Sequence, residues 1–332
     1  MGGGRWSTDR YEAEAAYRRA RGLETFAYDD QTRRLDPGMW RAAPALDPFG
    51  VSVREARDSA EHPSSTPIAV LFDVTGSMQR VPRQLQERLP DLLGLLNEGR
   101  YVSDPQIMFG AIGDADSDRV PLQVAQFESD NRMDEQLRQI FLEGGGGGQK
   151  SESYELAAWF MAHKVSADAI ERRGRKGYLF IIGDEMNKPV LKARHLREVL
   201  GVEVTQDVDV RTLYAELQRT WNVYFVLPRL TAYWDDREVA DHWRELLGQR
   251  FLRLEDPASV CELIAVTIGM EDGYVDLRQG RDDVRRVPGL RTPGVRAFGP
   301  EAEEGYWDSF RAEPARPAPS SGLRRLWNRR VN

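Results

Sequence analysis

Asp73-Val74-Thr75-Gly76-Ser77 places one carboxylate and two hydroxyls at alternate positions of a single loop, and Gly76 allows that loop a tight turn. Hard oxygen donors in this arrangement suit a divalent cation such as Mg²⁺ or Mn²⁺, which takes six oxygens in octahedral array. Three more stretches bring compatible groups. Gly183-Asp184-Glu185 adds two carboxylates, and Gly113-Asp114-Ala115-Asp116-Ser117-Asp118 adds three. The glycine run Gly144 to Gly148 leads through Gln149-Lys150-Ser151-Glu152-Ser153 toward a helix, and reads as a mobile loop over the same place. Taken alone, Asp73, Thr75 and Ser77 would serve equally well as caps on the following helix.

The elements flanking these loops are those that would bring them together. Ile68-Ala69-Val70-Leu71-Phe72 is a continuous apolar run, the pattern of a strand buried on both faces. A helix should follow it, with Leu85, Leu89, Leu92, Leu93 and Leu96 on one stripe and a kink at Pro90. Strands are expected at 107–112, 122–127, 178–182, 223–227 and 251–254. The strict alternation of Leu122-Gln123-Val124-Ala125-Gln126-Phe127 marks a half-exposed edge. Helices are expected to open near Ser151, to run over about 208–220 and 237–247, and to start again after Asp256-Pro257. Strand and helix alternate almost throughout, which predicts an α/β fold: a doubly wound, mostly parallel six-stranded sheet covered by helices. In such a sheet the loops leaving the C-terminal strand ends gather at a switch point, so the four stretches above belong in one region.

Composition limits the alternatives. The chain has 332 residues, and 46 Lys and Arg against 53 Asp and Glu leave a formal charge of −7. Residues 1–65 carry −1, residues 66–275 carry −10 and residues 276–332 carry +4, so the acidity lies with the strand-end loops. That balance disfavours nonspecific nucleic-acid binding. The apolar runs fall far short of the roughly 20 residues that span a bilayer, and the first residues hold no apolar export segment, so a cytoplasmic location is expected. One cysteine, Cys261, and four scattered histidines exclude disulfide scaffolds and zinc clusters. The cations are 41 Arg and five Lys, a bias typical of GC-rich bacterial genomes. Residues 1–65 read as a helical and irregular extension, with a helix capped by Ser7 and stopped at Gly22. Residues 66–275 read as the main domain, and residues 276–332 as a Pro/Arg-rich disordered tail.

Asp73, Thr75 and Ser77 after the first buried strand, with Asp184 at a later strand end, resemble the metal-ion-dependent adhesion site of von Willebrand factor A domains, over residues 66 to about 275. The resemblance implies one antiparallel edge strand in the sheet. It also implies a metal set of Asp73, Thr75, Ser77 and Asp184, with a further ligand from the glycine loop at Gln149 or Ser151. A non-enzymatic module is implied, whose Mg²⁺ or Mn²⁺ captures an Asp or Glu of a protein partner. Intracellular relatives often work with AAA-type ATPases or in multi-component assemblies, and in some the last helix moves with the site. The usual Gly after the final Asp is replaced here by Glu185. The same residues also resemble haloacid-dehalogenase-like phosphatases, in which Asp73 would be the nucleophile and Asp184 would hold Mg²⁺. Thr75 then stands where a general-acid Asp is usual.

Overall fold

The computed structural model describes residues 4–78, 80–98, 101–145 and 150–276, and of Ser77 and Glu98 the backbone alone. Six strands form the main sheet: β1 (Thr66–Asp73), β2 (Pro105–Ile112), β3 (Leu122–Val124), β4 (Gly177–Ile182), β5 (Trp221–Pro228) and β6 (Phe251–Leu254). Their spatial order is β6-β5-β4-β1-β2-β3. Every neighbouring pair is parallel except β2 and β3, which are antiparallel. The chain leaves β1 toward β2 on one side and later crosses back to β4 on the other. The switch point therefore lies between the C-terminal ends of β1 and β4, where ligands of open α/β sheets bind.

β1 pairs with β2 from Thr66 opposite Pro105 to Asp73 opposite Ile112, and with β4 from Ile68 opposite Tyr178 to Phe72 opposite Ile182. All of its residues after Thr66 are buried, so both faces are covered. The covering helices are α1 (Thr8–Ala20), α2 (Arg80–Glu87), α3 (Leu89–Glu98), α4 (Tyr154–His163), α5 (Ala193–Leu200), α6 (Val210–Leu217), α7 (Arg237–Leu247) and α8 (Val260–Glu271). α3 packs on α8 and α4 on α6. Leu89, Leu92, Leu93 and Leu96 of α3 are fully buried or nearly so, and each contributes about 1.5–3 kcal/mol through the apolar area it removes from water. Cys261 lies buried in α8, as its apolar surroundings require.

Three local readings are corrected. The helix after β1 is two helices, α2 and α3, interrupted at Arg88. Pro90 has no N–H to give the carbonyl four residues back, which belongs to Gln86. The Tyr11 hydroxyl of α1 donates to that carbonyl instead, at 2.7 Å. The alternating segment 122–127 is a strand only over Leu122–Val124, and it is buried. The N-terminal extension covers it: Val124 N–H donates to Leu46 O at 2.8 Å, and Arg54 donates to Val124 O at 3.0 Å. Gln123 is also buried and exchanges two hydrogen bonds with the Phe141 backbone, so its polarity signalled a buried amide pair rather than a wet face. α5 was not among the expected helices, although Leu196, Val199 and Leu200 fall on one face of it.

The extension joins the same core through Tyr11, Phe26, Ala43, Leu46 and Ala56, and its strand Arg54–Ala56 pairs in parallel with Val165–Ala167. Ser7 caps α1 and Gly22 follows it with positive φ, as its spacing requires. Residues 277–332 lie outside the described residues.

Removing the Tyr11 hydroxyl should expose the cost of the carbonyl that Pro90 frees. Tyr11→Phe is expected to lower unfolding stability by about 1–2 kcal/mol in denaturant titrations. In a Pro90→Ala background the loss should be smaller, because an alanine amide can take over Gln86 O. Equal losses in both backgrounds would mean that the two residues are uncoupled.

Candidate functional site

Asp73 and Asp184 stand at the C-terminal ends of adjacent parallel strands, one closing β1 and the other two residues beyond β4. Both are fully buried. Asp73 Oδ1 accepts the Thr75 N–H at 2.6 Å, and its Oδ2 accepts the Tyr154 hydroxyl at 2.7 Å. Asp184 Oδ2 accepts the Ala232 N–H at 2.9 Å. Burial pushes the Asp73 carboxyl up and nearby Asp184 adds to the rise, while the hydrogen bonds from Thr75 and Tyr154 oppose it.

The start of the glycine run is built against the first loop. Gly144 N–H donates to Val74 O at 3.1 Å and Gly76 N–H to Gly145 O at 3.3 Å. Gly145 sits where a Cβ would collide with the Asp118 carboxylate, and Gly183 where one would collide with the Tyr154 hydroxyl. These two glycines let backbone close on the groups of the site. Past the run, the two-residue strand Ser151–Glu152 pairs in parallel with Met186–Asn187, which holds these two residues beside the segment that follows Asp184.

Of the six expected site residues, Asp73, Thr75, Ser151 and Asp184 fall on these neighbouring loops. Ser77 lies in the helical turn Gly76–Met78, with its side chain outside the description, and Gln149 lies outside the described residues. Ser151 is half-buried at the paired strand. Ser153 is committed elsewhere: its hydroxyl accepts the Ala115 N–H at 2.9 Å and lies 3.5 Å from Asp114.

Glu152 was not expected as a site residue. It is buried, with Oε2 lacking any hydrogen bond, and burial together with Asp73 and Glu185 drives its carboxyl far upward. An acid just ahead of a helix ordinarily reads as a partner for the helix dipole, which is why nothing in the pattern sends it inward. Glu185 is also buried with Oε2 unbonded, and burial, Asp73 and Asp184 raise it to about 8. Tyr154, in the first turn of α4, is the donor that holds Asp73.

The carboxylates at this edge form two classes. Asp114 and Asp116 are neutralised: Lys188 bonds both, and Lys192, Arg194 and His195 converge on Asp116. Asp73, Glu152 and Glu185 have no ion pair with a described residue. Lys150, close in sequence, turns its ammonium to Asp236 at 2.7 Å and Glu238 at 3.2 Å. The groups left without an ion pair are all oxygen donors, and two of them are buried without a hydrogen bond, chemistry that suits a hard divalent cation. No three His, Cys, Asp or Glu side chains among the described residues converge as a metal cluster. The expected set, with two carboxylates and its remaining donors hydroxyl or amide, is not one that such a convergence would reveal.

No family model matches the chain, and no curated protein matches it. Solved structures do. The pilus adhesin SpaC from Lactobacillus rhamnosus GG matches at 7% identity and TM-score 0.43, covering 62% of this chain and 30% of that one. Proximal thread matrix protein 1 from the mussel byssus matches at 9% identity and TM-score 0.41, covering 61% and 47%. A von Willebrand factor type A protein from Catenulispora acidiphila matches at 10% identity and TM-score 0.38, covering 62% and 42%. The chain spans less than half the length of each, and at these similarities none transfers a residue role to it.

Proposed function

We propose that the switch-point loops hold Mg²⁺ or Mn²⁺ among Asp73, Thr75, Ser77 and Asp184, with Gln149 or Ser151 from the glycine loop, and that the protein is a binding module for an acidic side chain of a protein partner. The observation that carries this reading is the buried group Asp73, Glu152 and Glu185, which has no cationic side chain on it among the described residues. Removing an ionised carboxylate from water costs several kcal/mol even after relaxation, so these carboxyls either take up protons or are offset by a cation from outside. When bound, the cation would offer a coordination position to a partner's carboxylate. The chain's own work is to fix the donors. The Thr75 amide and Tyr154 hydroxyl orient Asp73, the Ala232 amide orients Asp184, and the two close-approach glycines leave the loops room.

Phosphoryl transfer is less well served. An attacking Asp73 would have to be ionised and open, whereas it is fully buried with both oxygens hydrogen-bonded. Lys188 is held by Asp114 and Asp116, Lys150 by Asp236 and Glu238, and Lys176 by Gln218 O, so none of them is placed against Asp73 to neutralise a phosphate. A partner of the AAA-type ATPase class and a cytoplasmic setting are part of the proposal. No helix among the described residues is long and apolar enough to cross a membrane.

Calorimetric titration with Mn²⁺ and Mg²⁺ should show one site of millimolar or tighter affinity in the wild-type protein and none in Asp73→Ala. No binding by a folded wild-type protein would end the cation reading. Turnover of a phosphate ester that vanishes in Asp73→Ala would replace it with phosphoryl transfer.

Raised carboxyls make the cation-free protein hold more protons than its unfolded chain. Glu185 and Glu155 are raised to about 8 and Glu262 to about 7, in each case mainly by burial. Between the ordinary carboxylate range and pH of about 8, stability should therefore fall as pH rises, by up to about 1.4 kcal/mol per pH unit for each such proton. Saturating Mg²⁺ should flatten the part of that slope due to the site. Chemical denaturation from pH 5.5 to 8.5, with and without Mg²⁺, measures both, and a slope indifferent to Mg²⁺ would contradict the proposal.

A further inference from the structure

The loop that leaves β5 carries the most exposed large apolar side chain among the described residues. Leu230 is 73% exposed, and it is not among the apolar residues that pack on the core. Its backbone is also strained. Its φ is +68°, in the left-handed region where Gly or Asn is the ordinary residue of a turn. An exposed leucine alone needs no explanation. One held in a left-handed turn costs the fold twice, in backbone strain and in apolar surface left in water, and Leu230 gains no place in the core in return.

The turn is held from both sides. The Arg229 N–H donates to Leu254 O at 2.8 Å, and the Arg229 guanidinium pairs with Glu255 at 2.9 Å. Thr231 Oγ1 donates to Pro228 O at 2.8 Å, and the Ala232 N–H donates to Asp184 Oδ2 at 2.9 Å. That last bond ties the loop to the open end of the sheet, so Leu230 stands two residues from a direct contact with the candidate site. Further along, Tyr233 and Trp234 do pack on the core, and Lys150 and Arg253 lie over their rings at 5.9 Å and 4.7 Å. The aromatic residues root the loop, and Leu230 is what it presents to solvent.

We propose that Leu230 is the apolar anchor of the partner-binding face, and that the segment this face takes belongs to a protein partner and carries a large apolar side chain within three residues of its acidic one. This deepens the binding-module reading above and rests on it. Two residues of extended chain span about 7 Å, so the Ala232 tether keeps Leu230 within the reach of one to three residues of a peptide whose acid meets the strand ends. Charge disfavours a second copy of this chain as the occupant. Residues 66–275 carry −10, and two copies meeting at this edge would bring like charge together. The acid on the partner addresses the site, and the apolar contact selects among the many surface acids that could.

Panning a random peptide library displayed on phage against the full chain in saturating Mg²⁺ tests this. Enriched peptides should carry Asp or Glu with Leu, Ile, Met, Phe or Trp within three positions. Replacing that apolar residue by Ala in a synthesised peptide should weaken binding to wild type about tenfold, the scale of one side chain's apolar area returned to water. Leu230→Gly and Leu230→Ser should bind the parent peptide about tenfold more weakly. On the same Ala replacement they should lose less than about twofold, because their half of the contact is already gone. Denaturant titration should show Leu230→Gly folded and no less stable than wild type, since glycine relieves the turn. An equal tenfold loss in wild type and both variants, or enrichment of acidic peptides with no apolar residue, would overturn the role of Leu230 and leave acid capture in place. Peptides that depend on Leu230 but carry no acid, or that bind Asp73→Ala equally well, would instead remove the reading on which it rests. A dimer in sedimentation that Leu230→Gly dissolves would give the face to a second copy and overturn the proposal, and a folded wild-type protein that enriches no peptide would overturn both.

Discussion

Like charge held out of water at the open end of a parallel sheet is the constraint on which the rest of the structure depends. Asp73 and Asp184 must be next to one another because β1 and β4 are paired neighbours whose C-terminal ends face the same way. Strands lie about 4.8 Å apart in such a sheet, so residues leaving two adjacent ends cannot avoid each other. The surrounding elements answer that crowding with donors. Thr75 and Ala232 contribute amides, Tyr154 reaches up from the first turn of α4, and glycine at 183 leaves room for its hydroxyl. The neighbouring loop shows the other solution available to a protein. Asp114 and Asp116 carry a lysine between them and a ring of basic side chains outside, and they complete their neutralisation without a ligand.

The division between these two groups also explains where the acidity of the central region comes from. Counted by residue, it looked like one pool of negative charge at the strand ends. Counted by partner, it separates into carboxylates that belong to structural ion pairs and carboxylates that keep their oxygens directed inward.

Much of this was legible from residue order. Continuous apolar runs identified β1, β2 and β5 because a strand buried on both faces has no polar side to show. Asp73 and Asp184 could be assigned to one site because Asp73 directly follows one such run and Asp184 lies two residues beyond the strand expected at 178–182. What was not legible depends on contacts between distant segments. Glu152 carries the same letter as any acid at a helix start, and only its pairing with the Met186 strand sends it inward. Gln123 alternates with apolar neighbours as an exposed residue would, yet its amide is matched by the Phe141 backbone. Pro90 announced a disturbance, but not that a tyrosine some 80 residues earlier would supply the missing donor.

The cover over β3 has a consequence for the order in which the molecule assembles. Leu46 and Arg54 bond to Val124, and Arg54–Ala56 pairs with Val165–Ala167, so a segment made early has its partners about 70 to 110 residues downstream. During synthesis that segment has no place to settle until the strands it closes have emerged. For that interval the early segment is without its partners, and the edge can be covered as soon as it forms. Slow closure of long-range contacts is the expected kinetic signature of this topology, with the docking of residues 46–56 waiting on strands that follow them in the chain.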